Sequence, residues 1–182
     1  MSEVTVALRY AKALIDLAAE QNSVEAVKGD MELFLKTVKA NPELGAVLAN
    51  PIISHSKKVS ILAAVFGPKV SKVTIAFLNI MVNKGRGEVL YTTATEFIGL
   101  YDVKHHITNA RVTTASPLSA ANKAKMLADV QAAIGGTVKL TDKVDPKLIG
   151  GFVLTVGDRQ VDTSIATSLK KLKKDFAQAA TK

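Results

Sequence analysis

Gly150, Gly151, Gly157 and Asp158 punctuate the stretch PKLIGGFVLTVGDRQVDTSIATSLKKL, Pro146 to Leu172, where a phosphate-cradling loop would be sought. A Walker loop needs a lysine and a hydroxyl after its second glycine, so that backbone N–H groups and an ammonium wrap the phosphates. Here Phe152, Val153 and Leu154 follow the glycine pair, and the glycines precede a strand where a dinucleotide fingerprint would open a helix. The four residues therefore read as hairpin scaffold. The pair permits a bulge or close backbone approach, and Gly157-Asp158 is a two-residue turn. His105 and His106 are adjacent, a spacing that on a helix points them about 100° apart and suits no shared metal; His55 stands alone. There is no cysteine, hence no thiolate ligand and no disulfide. No nucleophile elbow appears, and the carboxylates are scattered. We expect no catalytic residue, no metal and no cofactor; a site assembled in space from dispersed carboxylates is the enzyme alternative.

Two kinds of patterning must position these residues. From Val4 to about His106 the apolar period is helical. Val24, Val27, Met31, Phe34/Leu35 and Val38 share one face of a second helix, with Asn22 and Glu25 spaced as a capping box. Asn41-Pro42 opens a third helix. Ser54 or Ser56 caps a fourth, carrying Val59, Leu62 and Phe66. A fifth runs from about Lys69 to Lys84, and Gly85 and Gly87 separate it from a sixth with Leu90, Phe97/Ile98 and Tyr101 inward. Beyond about His106 the pattern shifts to β-branched runs, a helix closed by Gly135-Gly136, strands FVLTV and RQVDT, and a last helix. The prediction is a mainly α protein with an α+β C-terminal part. A six-helix bundle spans residues 1–106, and a small α+β domain spans 107–182 with a β-hairpin and a terminal helix.

The first and fifth helices have more apolar surface than one core face requires. Arg9, Lys12, Asp16 and Glu20 form a narrow polar stripe on the first; Val4, Leu8, Ala11, Ile15 and Ala18 make one apolar face, and Val6, Tyr10, Ala13, Leu14 and Leu17 a second. On the fifth, Lys72, Asn79 and Asn83 edge a surface covered by Val70, Val73, Ile75, Ala76, Phe77, Leu78, Ile80, Met81 and Val82. Either both helices run through the middle of the bundle, or they flank a groove awaiting an amphipathic helix. The terminal helix sets Ile165, Leu169, Leu172 and Phe176 on one face and Lys170, Lys171, Lys173 and Lys174 around the other.

Charge sharpens the division. The net charge is +8; residues 1–105 hold 12 basic and 10 acidic residues, and residues 106–182 hold 12 and 6. A basic half suits an acidic protein, an anionic membrane surface or nucleic acid. Nucleic-acid binding would bring stacking aromatics or arginine readout, whereas this half has only Arg111 and Arg159, with Phe152 and Phe176. A basic nucleic-acid adaptor is thus the weaker alternative. Leu44–Ser56 is the longest charge-free run, too short to span a membrane and broken by Pro51. The start resembles neither a signal nor a transit peptide, which predicts a protein made in the compartment where it works.

Three stretches resemble the delta subunit of rotary ATP synthase, related to the mitochondrial oligomycin-sensitivity-conferring protein: RYAKALIDLA (Arg9–Ala18), FLNIMVNKGR (Phe77–Arg86) and VDPKLIGGFVLTVGDRQVDTSIATSLKKL (Val144–Leu172). Many relatives have Asn where this chain has Ala76. The resemblance implies a non-catalytic stator. Its N-terminal domain would grip the N-terminal helix of an alpha subunit of the catalytic head, through Tyr10, Ala13, Leu14 and Leu17 on the first helix and Ala76 and Ile80 on the fifth. Its C-terminal domain would meet the peripheral stalk's b subunits, with Lys170, Lys171, Lys173 and Lys174 facing the stalk. It further implies a monomer when isolated, one copy per complex, no nucleic-acid partner, and membrane association only through the complex. The location implied is the cytoplasmic side of a bacterial inner membrane.

Overall fold

A computed structural model describes residues 3–179. The chain divides after Lys104 into two compact units.

The first unit holds six α-helices: α1 Glu3–Glu20, α2 Val24–Ala40, α3 Pro42–Ala49, α4 His55–Phe66, α5 Lys72–Asn83 and α6 Leu90–Lys104. Its core is built from their periodic apolar residues. Ala7, Ala11 and Ala18 of α1 are fully buried, and α1 packs chiefly on α6, where Ala94 and Phe97 are buried. Small side chains let the two backbones approach, while Phe34 and Phe66, ring centroids 5.3 Å apart, fill the space between α2 and α4. Each fully buried side chain of this size contributes roughly 1.5–3 kcal/mol.

Helix ends are settled by local chemistry, in one case differently from expectation. Asn22 and Glu25 form no capping box. Asn22 sits at φ 50°, Ser23 N–H donates to Ala18 O at 2.8 Å and Asn22 N–H to Ala19 O at 3.1 Å. That is a Schellman closure of α1, which consumes Asn22 as a left-handed terminator. The Glu25 carboxylate instead accepts the Tyr101 hydroxyl of α6, with the Lys28 ammonium 4.8 Å over the Tyr101 ring. The Lys58 ammonium, buried, donates to Leu48 O at 2.7 Å and satisfies the carbonyl end of α3. The fifth helix is also shorter than its apolar run: Ser71 caps it, and the predicted Lys69–Val70 turn lies outside.

The second unit is a four-stranded sheet with two α-helices. β1 Ile107–Thr114, β2 Thr137–Val144, β3 Phe152–Val156 and β4 Arg159–Asp162 lie in the order β2-β1-β3-β4. β1 and β2 are parallel, joined through α7 (Ala120–Ile134); β1–β3 and β3–β4 are antiparallel. Val156 pairs with Arg159 across Gly157-Asp158, and Gly157 lies at φ 54°, as a tight hairpin with glycine at its first turn position requires. The last helix, α8, runs Ile165–Ala179.

Register places Val138 and Leu140, Ala110 and Val112, Leu154 and Val156, and Val161 on one face of the sheet. α7 covers part of that face: Val130 is buried against Ala110 and Val138, with Met126 and Leu127 packed around them. The opposite face presents Lys139, Lys143, Arg111 and Thr155, which is polar and suits solvent.

Candidate functional site

On α1, Tyr10 is half-buried while Ala13 and Leu17 are exposed, Leu17 at 40%. Their spacing of three and four sets them in one stripe. Leu14 behaves differently: at 1% exposure it belongs to the core with Ala7, Ala11, Ile15 and Ala18. The expected core face is also shifted, since Val4 and Leu8 are exposed at 52% and 43%. On α5, Ala76 and Ile80 are exposed, one turn apart, and Thr74, Phe77, Leu78, Met81 and Val82 supply the buried side. Asn79, expected on the polar edge, is half-buried, its Oδ1 out of solvent with no hydrogen-bond partner. Both helices thus carry an uncovered apolar stripe beside a core face.

The second unit leaves two apolar surfaces open. Where α7 stops covering the sheet, Phe152, Leu154, Val156 and Val161 face Met126 and Ile134 across a cleft of about 630 Å³, and among the described residues none of α8 lines it. Lys125, Asp129 and Arg159 stand at its polar positions. On α8, Ile165, Leu169, Leu172 and Phe176 are 46–67% exposed, at spacings of four, three and four. That is the seam spacing of a helix built to pack lengthwise on another helix. Lys170, Lys171, Lys173 and Lys174 are exposed around it.

α8 nevertheless has a well-built root. Ser164, fully buried, accepts Thr167 N–H at 3.3 Å; Asp162 accepts Ser164 N–H at 2.8 Å and the Thr167 hydroxyl at 2.8 Å. Hydrogen bonds from Ser164 and then Thr167 hold the Asp162 carboxyl below its ordinary range. Ile165 N–H donates to Gly150 O at 3.1 Å, and Thr163 N–H to Phe152 O at 3.0 Å. Gly151 lies at φ 74°, with the Thr163–Ser164 backbone against it. The glycine pair therefore seats the start of α8 on the hairpin. Asp162, Ser164 and Thr167 were not among the residues expected to matter; their signal is the Ser-x-x-Thr spacing just before the apolar run.

Among the described residues, no group of three His, Asp or Glu is placed to hold a metal ion. Proton affinities are shifted at Tyr101, pushed up to about 12 chiefly by its bond to Glu25, and downward at Asp142, beside Lys123 at 2.5 Å, and Asp162. None of the three lines the cleft. Each is explained by its structural partner, so they do not make the converging set an acid–base site needs.

Open apolar stripes and an open cleft are surfaces of the kind that bind other proteins. Comparison with known proteins identifies the family. Residues 6–176 match the family described as the ATP synthase delta (OSCP) subunit. The chain is 39% identical to the ATP synthase subunit delta of Cytophaga hutchinsonii, covering 98% of this chain and 97% of that protein. It is 36% identical to that of Flavobacterium johnsoniae, over 97% and 99%. With the chloroplastic delta subunit of Ochrosphaera neapolitana it shares 34% over 94% and 97%. A chain in the cryo-EM structure of the Toxoplasma gondii mitochondrial ATP synthase hexamer shares the fold, with a TM-score of 0.74 at 23% identity over 94% of this chain and 97% of that one. The protein belongs to the ATP synthase delta (OSCP) subunit family.

Proposed function

We propose that the chain is a non-catalytic stator subunit of proton-translocating ATP synthase that ties the catalytic head to the peripheral stalk. The first unit, read as a six-helix bundle, takes the N-terminal helix of an alpha subunit. Tyr10, Ala13 and Leu17 of α1 form one wall of the groove and Ala76 and Ile80 of α5 the other, with Leu14 beneath them as floor. Tyr10 suits a groove edge because its ring buries area while its hydroxyl stays wet. The second unit meets the b subunits of the stalk through its open apolar surfaces. Lys170, Lys171, Lys173 and Lys174 face acidic stalk residues, and Gly150, Gly151, Gly157 and Asp158 act as scaffold. A tether of this kind resists the torque of the central shaft, so that rotation drives ATP synthesis rather than spinning the head. The subunit is a monomer in isolation, present once per complex, and peripheral to the cytoplasmic side of a bacterial inner membrane through the complex; no described helix is long and apolar enough to cross a membrane.

The observation that carries this reading is that a member of this family leaves helix-length apolar stripes uncovered in both of its units. The test is calorimetric titration of the full chain with a peptide of the N-terminal helix of the same organism's alpha subunit. A one-to-one complex weakened by Ala13→Asp is expected, because the substitution sets an unpaired charge in an apolar contact. Unchanged affinity in a folded Ala13→Asp protein would remove α1 from the contact.

A further inference from the structure

The N-terminus of α5 is held by a residue of another helix. A capping box normally closes on itself: the cap hydroxyl accepts the N–H three residues on, and an acid or amide at that third position returns to the cap's own N–H. In α5 the first half is present, with Ser71 Oγ accepting Thr74 N–H at 3.3 Å. The third position, however, is Thr74, and α5 has no acidic residue of its own to return to the cap N–H. Asp30 of α2 supplies the carboxylate. One carboxylate oxygen, Oδ2, accepts Ser71 N–H at 2.8 Å and the Thr74 hydroxyl at 2.7 Å, while Ser71 Oγ donates to Thr74 Oγ1 at 3.0 Å. Thr74 is fully buried and Asp30 partly so. The carboxylate also stands at the positive end of the α5 dipole.

We infer that Asp30 is a positioning residue for partner binding: it fixes the α5 wall that carries Ala76 and Ile80, without touching the partner. This rests on the groove reading above. α5 packs mainly on α4 and on α2, the helix that carries Asp30, so the cap is a polar tie from the start of α5 to one of the two helices that set its pose. Removing the carboxylate leaves Ser71 N–H and the buried Thr74 hydroxyl without their acceptor. The first turn of α5 then loosens, and Ala76 and Ile80 are presented over a range of positions.

Three proteins decide the matter: Asp30→Ala, Asp30→Asn, whose amide oxygen keeps the acceptor, and Ala76→Asp, which disturbs the contact directly. Each full-length chain is titrated with the alpha peptide at a temperature where circular dichroism shows it folded, and amide hydrogen exchange is followed in the free proteins. Asp30→Ala is expected to weaken the peptide about tenfold and to speed exchange in α5 but not in α1. Asp30→Asn should recover most of the affinity. Wild-type affinity of Asp30→Ala overturns the inference and leaves Asp30 a stabilising cap, and so does unchanged α5 exchange, whatever the peptide does. Loss of binding in Asp30→Ala with full affinity in Ala76→Asp, or no binding by the wild type, sinks the groove reading itself and this inference with it.

Discussion

The glycines at and before the hairpin make a paired prediction, because two of them share a positive φ and differ in surroundings. Gly151 and Gly157 both have positive φ, 74° and 54°. An L-residue in the left-handed region costs roughly 1–2 kcal/mol. At Gly157 that is the whole cost of alanine, since a Cβ there meets nothing within 4 Å. At Gly151 the Cβ would lie 2.4 Å from Thr163 O and 3.1 Å from Ser164 Cα, about an ångström inside ordinary contact with backbone. Relief requires the Thr163–Ser164 turn to move. That strains Thr163 N–H to Phe152 O and Ile165 N–H to Gly150 O, each worth about 1 kcal/mol. We therefore expect Gly157→Ala to destabilise by about 1–2 kcal/mol and Gly151→Ala by about 3–4 kcal/mol, or more if the turn cannot adjust. Residue-resolved hydrogen exchange reads this directly: amides of β3, β4 and the first turn of α8 should lose protection in Gly151→Ala, while α2 and α6 keep theirs. Equal, small effects of the two substitutions would refute the argument that Gly151 seats α8.

Other consequences follow from single contacts. Tyr101 has its hydroxyl pushed up to about 12 from the ordinary 10, first by the Glu25 bond and then by burial. A raised folded value means this contribution is complete below about pH 10 and is lost as pH rises through 12. Denaturation midpoints should thus fall over that window, and the Tyr101-dependent part of the fall should vanish in Tyr101→Phe; identical alkaline profiles would contradict it. Phe97→Ala, emptying a fully buried site under α1, should cost about 3–5 kcal/mol by urea titration. Leu172→Asp on the exposed α8 seam should leave the melting temperature within a degree or two of wild type yet abolish capture of the soluble b domain. A large loss of stability instead would place α8 in a core. If the α8 lysines face acidic stalk residues, that capture weakens with added salt, whereas salt-independent binding argues against them.

The sequence carried element identity well and surface identity poorly. Periodicity located α2 because it has one apolar face and one polar face, so phase and burial coincide. α4 and α6 were found from fewer apolar residues at helical spacing, and their buried sides also hold Lys58, and Thr93 and Asp102, which the pattern did not signal. α1 is apolar over most of its circumference, and phase then cannot separate core from contact. Leu14 fell on the core side, and Val4 and Leu8 on the exposed side, for that reason. Gly157-Asp158 announced the hairpin, since the turn chemistry is local. Nothing local announces that β1 and β2 pair in parallel, because the partner strand lies beyond a whole helix. The Asn22–Glu25 spacing fits a cap, but the chain used Asn22 to end α1, and two motifs competing for one residue cannot be ranked without the neighbouring helix. Asp30 gave no signal at all, being forty-one residues from the Ser71 N–H that it accepts. Most informative is α8: its stripe of Ile165, Leu169, Leu172 and Phe176 looks like any core face, and only the structure reveals that it stays 46–67% exposed.

The proposed role, joining head to stalk, can be tested on the assembled parts. The most direct measurement is sedimentation of the catalytic head with the soluble part of the b subunits, with and without the purified chain. Head and stalk should travel together only when the chain is added, and Ala13→Asp should retain the stalk while releasing the head. Head–stalk association without the chain, or failure of the intact folded chain to bridge them, would contradict it.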